Sequence, residues 1–267
     1  MRRTAVAVAA LSLALPVLAV LAGCGSSPTP PTTTGTGGSS GPASSGTITV
    51  LAASSLKEAF TTIGQQFEAA HPGVKVVFSF AASSDLATQI TSGSPADVFA
   101  SASAKNMTQV TDAGAASSPT TFAKNVMEIA LPPANPGNIT SLADLATAGV
   151  KLALCQAQVP CGSTAAKVFT NAKLTVTPVT LEPDVKSVLA KVELGEVDAG
   201  MVYVTDVRAA GDKVKGVEIP ADVNASTSYP IAALTKAANA ALAKAFVDYV
   251  LSADGASVLA ADGFAKP

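Results

Sequence analysis

Small polar residues recur in this chain where an apolar, strand-like run hands over to a helical pattern. Ser54-Ser55 follow the run at 47–52, and Ser83-Ser84 follow the run at 74–80. Cys161-Gly162-Ser163 follow 151–155, and another helical pattern opens at Val185. A helix start exposes backbone N–H groups that lack an intrahelical acceptor, together with the positive end of the helix dipole. Several such starts converging across a cleft make an anion site that needs no Lys or Arg. Each serine taken singly is equally well a routine helix cap. Ser55 and Glu58 in particular have capping-box spacing.

Other chemistries find less support. No Gly-x-Ser-x-Gly run lies between a strand-like run and a helical pattern, which argues against a secreted serine hydrolase. Gly162-Ser163-Thr164 lacks the lysine and the glycine spacing of a phosphate-binding P-loop. Glu182 and Asp184 precede a helix, where they complement its dipole. The single histidine, His71, stands before Pro72-Gly73 and reads as a turn residue. Zinc needs three or four ligands, so no metal site is expected. The chain carries three cysteines. Cys155 and Cys161, separated by five residues, are expected to pair in an oxidising compartment. With charged residues at 13% and a formal net charge of −2, no basic stripe exists to hold nucleic acid.

The elements that must hold these groups follow from periodicity. Residues 47–52 turn from alternating to continuously apolar, as a buried parallel strand does. Leu56, Phe60, Ile63 and Phe67 share one helical face. Val74, Val76, Phe78 and Phe80 share one face of a second strand, and a short helix with Leu86 and Ile90 leads to a third strand at 97–100. Further strands are predicted at 126–131, 151–155, 199–204 and 229–234. Helices are predicted from Ser163 or Thr164 through Phe169, over 185–192 and over 236–251, and Ser141 caps a short one. Strands alternating with helices predict βαβ units, an α/β fold and a largely parallel sheet, divided between two lobes.

The first residues concern export. Arg2 and Arg3 precede an apolar run at 5–22 that ends in Leu21-Ala22-Gly23-Cys24. That order is a signal peptide, expected over 1–23, the alternative being an uncleaved membrane anchor. Its end resembles the lipobox of bacterial lipoproteins, which implies lipid on Cys24. Residues 24–46 are almost wholly Gly, Ser, Thr, Pro and Ala and read as a flexible tether. A chain of that length reaches ~25 Å.

Seven segments, in order, resemble the periplasmic molybdate-binding proteins of ABC transporters. They are Leu51-Ala52-Ala53-Ser54-Ser55-Leu56, Phe80-Ala81-Ala82-Ser83-Ser84-Asp85-Leu86, and Pro95-Ala96-Asp97-Val98-Phe99-Ala100-Ser101-Ala102. Val159-Pro160-Cys161-Gly162, Pro183-Asp184-Val185-Lys186, Ala199-Gly200-Met201-Val202-Tyr203 and Gly263-Phe264 complete the set. The resemblance implies a two-lobed, type II periplasmic-binding-protein fold, with two hinge crossings near 122–127 and 229–234. Lobe 1 is expected at 47–124 plus 231–267 and lobe 2 at 125–230. It also implies the ligand set: hydroxyl and N–H of Ser55 and Ser83, backbone N–H of Cys161 and Val185, and the phenol of Tyr203. Ser54 stands where the family has alanine, so it competes with Ser55 for that role. The implied ligand is molybdate or tungstate, with sulfate as the alternative oxyanion. The implied protein is a monomer without cofactor or catalytic activity. Its implied partners are a membrane permease and its ATPase, and its implied place is the outer face of the cytoplasmic membrane.

Overall fold

A computed structural model of the chain describes residues 45–267. The predicted signal, Cys24 and the tether up to residue 44 lie outside the described residues. Gly46, read above as the tether's last residue, instead opens the first strand.

The order of elements begins β1 (Gly46–Ala53), α1 (Lys57–Ala70), β2 (Val74–Ala81), α2 (Ser83–Thr91), β3 (Val98–Ala100), α3 (Ala104–Asp112) and β4 (Thr120–Leu131). It continues β5 (Leu152–Cys155), α4 (Pro160–Ala172), β6 (Thr180–Glu182), α5 (Val185–Glu193), β7 (Ala199–Tyr203) and α6 (Val204–Ala210). The last part is β8 (Lys215–Glu218), β9 (Ser226–Ala233), α7 (Ala240–Leu251) and α8 (Ala253–Ala261). The strands run β2-β1-β3-β9-β4-β7-β5-β6 across one sheet, with β8 also on β4. The sheet is mixed. Parallel pairs lie toward its two ends, β1 with β2 and β3, and β5 with β6 and β7. Antiparallel pairs occupy the middle, where β9 meets β3 and β4, and β4 meets β7 and β8.

Two main cores form around those ends. One gathers Ile48, Val50, Leu56, Phe60, Ile63, Phe67 and Phe246 around β1, β2, α1 and α7. Phe67 and Phe246 meet edge-on with centroids 5.3 Å apart. Each fully buried ring of this kind contributes about 1.5–3 kcal/mol from burial. The other core gathers Met127, Ile129, Leu152, Val168, Val188, Val192 and Val202 around the end of β4 and around β5, β7, α4 and α5. β4 and β9 pair with each other from 120–126 and so run between the two.

Several predicted boundaries move, each for a local reason. The helix expected to open at Ser163 or Thr164 opens at Pro160, whose fixed φ suits the first helical position. The helix expected from Lys236 starts only at Ala240, because Asp97 Oδ1 accepts from Ala238 N at 2.7 Å and holds that stretch as a loop. Asn239 then caps α7 through Leu242 N. Ser55 does not act as a helix cap. Residues Ser54–Leu56 form one 3₁₀ turn without a side-chain cap, and α1 begins at Lys57. His71 ends α1 as read from sequence, its Nδ1 bonded to Phe67 O at 2.9 Å.

Candidate functional site

Four chain reversals deliver their helix starts to one small pocket. β1 runs into the Ser54–Leu56 turn, β2 into α2, and the β5–α4 and β6–α5 connections arrive from the other core. The lining comprises Ala53, Ser54, Ser55, Ala81, Ala82, Ser83, Ala102, Pro160, Cys161, Asp184, Val185 and Tyr203. The cavity is very small, about 10 Å³. Clefts for drug-sized ligands run ~300–1,000 Å³, so there is room for no more than a few atoms, as in a small inorganic ion. All five residues singled out from the sequence, Ser55, Ser83, Cys161, Val185 and Tyr203, line it and are buried. Ser54 lines it too.

Each group is placed where it can donate. Val185 begins α5, whose cap Asp184 accepts from Lys186 N at 2.7 Å and Ser187 N at 3.1 Å. The Val185 amide is thus left over from the capping. Asp184 is the one acid in the lining; its Oδ1 accepts from both amides and its Oδ2 from Ser187 Oγ at 3.4 Å. Pro160 has no N–H, so the Cys161 amide is the first of α4. Cys155 and Cys161 are joined by a disulfide with Cα atoms 5.7 Å apart, which ties the end of β5 to the start of α4. Gly162 permits this tight return, since a Cβ there would collide with the Gln156 carbonyl oxygen and stand 2.7 Å from Cys155 O. Ser83 Oγ accepts from Ala102 N at 2.9 Å, so its proton is free to donate. Ser55 Oγ lies 2.9 Å from the Tyr229 hydroxyl.

Tyr203 is the most telling member. Its hydroxyl is fully buried and has no hydrogen-bond partner among the described residues. Thr164 lies near, but its hydroxyl donates to Pro160 O at 2.8 Å. Burial drives the Tyr203 phenol well above its ordinary pKa; the nearby Tyr229 adds to this and Thr164 opposes it. The phenol therefore keeps its proton, and a buried unpaired donor costs about 1–3 kcal/mol until something accepts from it.

Charge is kept just outside the pocket. Lys186 Nζ pairs with Asp206 Oδ1 at 2.9 Å and with Glu58 Oε2 at 2.8 Å. Asp206 is completely buried, and its Oδ2 accepts from Tyr203 N at 3.0 Å. Burial raises the Asp206 pKa against the pull of Lys186. Burial also works against the Lys186 charge, but Asp206 and Glu58 outweigh it and hold the ammonium above its usual range. Among the described residues no group of three His, Cys, Asp or Glu is placed to hold a metal ion. Sequence reading did not find this charged triad or Tyr229, because their partners are brought together only by the fold. One local signal existed: Asp206 lies three residues after Tyr203, within reach of that helix start.

A pocket between two cores, with donors supplied from both, is the arrangement of a solute-binding protein. The chain belongs to the bacterial extracellular solute-binding protein family, whose profile matches residues 48–265. It is 45% identical over 239 residues to the molybdate-binding protein ModA of Mycobacterium tuberculosis H37Rv, covering 86% of this chain and 92% of that one. It is 36% identical over 242 residues to the molybdate-binding protein ModA of Escherichia coli K12, covering 83% and 90%. The solved periplasmic molybdate-binding protein of Azotobacter vinelandii superposes with a TM-score of 0.73 at 22% identity, over 82% of this chain and 99% of that one. The fold is accordingly the two-lobed α/β architecture of periplasmic binding proteins.

Proposed function

We propose that this protein captures molybdate, with tungstate as a near equivalent, outside the cytoplasm and delivers it to the permease and ATPase of an ABC importer. The observation that supports the reading is a pocket lined by hydroxyls, a phenol and helix-start amides that can donate, with no cation among the described residues that line it. Molybdate at neutral pH is a fully deprotonated dianion that accepts hydrogen bonds and donates none. Ser55 and Ser83 would each give a hydroxyl and a backbone N–H, Cys161 and Val185 a backbone N–H, and Tyr203 its phenol. Hydrogen phosphate carries a proton that this set leaves unpaired, costing ~1–3 kcal/mol or more. Sulfate shares the charge of molybdate but is smaller, so the spacing of donors held by two packed cores must separate them. The names of the two curated relatives favour molybdate.

Residues 47–124 with 231–267, and 125–230, would act as lobes closing about β4 and β9. The Glu58–Lys186 ion pair supports a closed state, since α1 and α5 belong to different lobes. Binding and release require no bond to be made or broken, so the reading assigns no enzymatic step and no cofactor. The protein would work as a monomer, held by lipid on Cys24 with the tether giving it reach. Mass spectrometry of membrane-extracted protein tests that anchor.

Thermal unfolding against molybdate, tungstate, sulfate and phosphate tests the ligand. A ligand at 100 times its Kd adds about 2.7 kcal/mol to stability. Molybdate and tungstate should raise the Tm most. No shift at saturating millimolar molybdate overturns the proposal, and a larger shift with sulfate reassigns the ligand.

A further inference from the structure

Tyr229 does not line the pocket, yet it touches site residues from both cores. Its hydroxyl is 2.9 Å from Ser55 Oγ, and its ring stands edge-on to Tyr203 with centroids 6.4 Å apart. It is wholly buried, held by β9 pairing to Ala123 of β4 and by Phe264 packed edge-on at 5.2 Å. Burial raises its phenol pKa, with Ser55 and Asn125 opposing, so the group stays protonated. Asn125 is engaged elsewhere, its amide donating to Thr205 Oγ1 at 2.8 Å and its Oδ1 accepting from Val126 N at 3.0 Å.

A Ser hydroxyl has one proton. If Ser55 gave it to Tyr229, only lone pairs would face the pocket, and a dianion would be repelled. If Tyr229 donates to Ser55 Oγ, the serine proton is released toward the anion and the phenol proton is satisfied at the same time. Ser83 follows the same plan: its Oγ is occupied from behind by Ala102 N–H, which can only donate. We infer that Tyr229 is a positioning and specificity residue, which donates to Ser55 and so locks that hydroxyl as a donor to a fully deprotonated oxyanion. The inference rests on Ser55 serving the anion as proposed above. With one lone pair of each serine taken from behind by a donor, the serine protons are directed toward the ligand, which disfavours a ligand that must itself donate. Tyr229 thereby contributes to the rejection of protonated oxyanions.

Calorimetric titration of the folded, full-length protein with molybdate and with phosphate tests this on wild type, Tyr229→Phe, Ser55→Ala and the double variant. Tyr229→Phe keeps the ring packing and should weaken molybdate by about 3- to 10-fold, as loss of one neutral hydrogen bond does. The same change in the Ser55→Ala background should cost less than about 2-fold, because the two groups act through one bond. The preference for molybdate over phosphate should narrow in Tyr229→Phe, whereas a packing defect would weaken both alike. An unchanged Kd in Tyr229→Phe, equal losses in both backgrounds, or parallel losses for both anions would each overturn the inference. Should Tyr229→Phe fail to fold, 3-fluorotyrosine placed at 229 decides the direction. A more acidic phenol tightens molybdate binding if Tyr229 donates and weakens it if Tyr229 accepts. Failure of wild type to bind molybdate would instead sink the functional proposal itself.

Discussion

The starts of α1, α5 and α6 each carry two polar groups a few residues apart, and the fold treats them in opposite ways. Ser55, Val185 and Tyr203 line the pocket with neutral groups. Glu58, Lys186 and Asp206, offset by three, one and three positions, turn away and bind one another. That triad holds one cation and two carboxylates, so it offers no net positive charge to the pocket. A bare cation would attract any dianion. Fixed dipoles act only at short range and in set directions, so they read the size and protonation of the ligand as well as its charge. On the proposed function, keeping positive charge out of the pocket would therefore be part of how the ligand is selected.

The comparison breaks most severely at Lys186. Lys186→Met leaves Asp206 buried without its cation, and such a loss costs ~3–5 kcal/mol in urea unfolding. The pH dependence has a definite sign. The Lys186 pKa lies above its usual 10.5, so its stabilisation is fully present below pH 10.5 and is lost as pH rises through the raised value. Stability of the wild type should fall over that alkaline range, and Lys186→Met should lack this component.

On the pocket side, Ser55→Ala and Ser83→Ala should each weaken molybdate by about 1–3 kcal/mol, read by calorimetry, because each removes a donor to a charged ligand. Ser83→Ala should also lower the Tm, since it strands the Ala102 N–H that Ser83 Oγ now accepts. A Tm equal to that of wild type would show that this backing bond carries no stability.

A smaller effect belongs to Glu58→Gln. Glu58 is partly exposed, so its ion pair with Lys186 contributes only about 0.2–1 kcal/mol. The variant should release ligand slightly faster at low salt and match wild type at high salt, where exposed charges are screened. The smallest effect is expected for Ser54→Ala, at less than about 0.5 kcal/mol in affinity. A larger one would exchange the roles assigned to Ser54 and Ser55.

Local patterns in the chain were enough to identify much of this architecture. The run at 47–52 reads as a strand because a central strand is apolar on both faces. Leu56, Phe60, Ile63 and Phe67 read as one helix face because their spacing follows the helical turn, and all four are buried in one core. The recurring small residues at helix starts were visible for the same local reason, and the order of motifs singled out five residues that the fold brings to one pocket. β6 and β8 were not legible: they are no shorter than β3 and β5, but they are partly or fully exposed and lack the continuous apolar run that marks those two buried strands.

What only the tertiary structure decided is where each hydrogen bond goes. Ser55 with Glu58 looks like a capping box, but Ser55 meets Tyr229, 174 residues away, and Glu58 meets Lys186. The role of Asp97 is equally nonlocal, since it holds the loop before α7 from 141 positions away. Periodicity reports which face of an element is apolar because burial is roughly proportional to area and has no direction. A hydrogen bond has direction and needs its partner within about 3 Å. That partner is supplied by whichever strand the sheet topology places alongside.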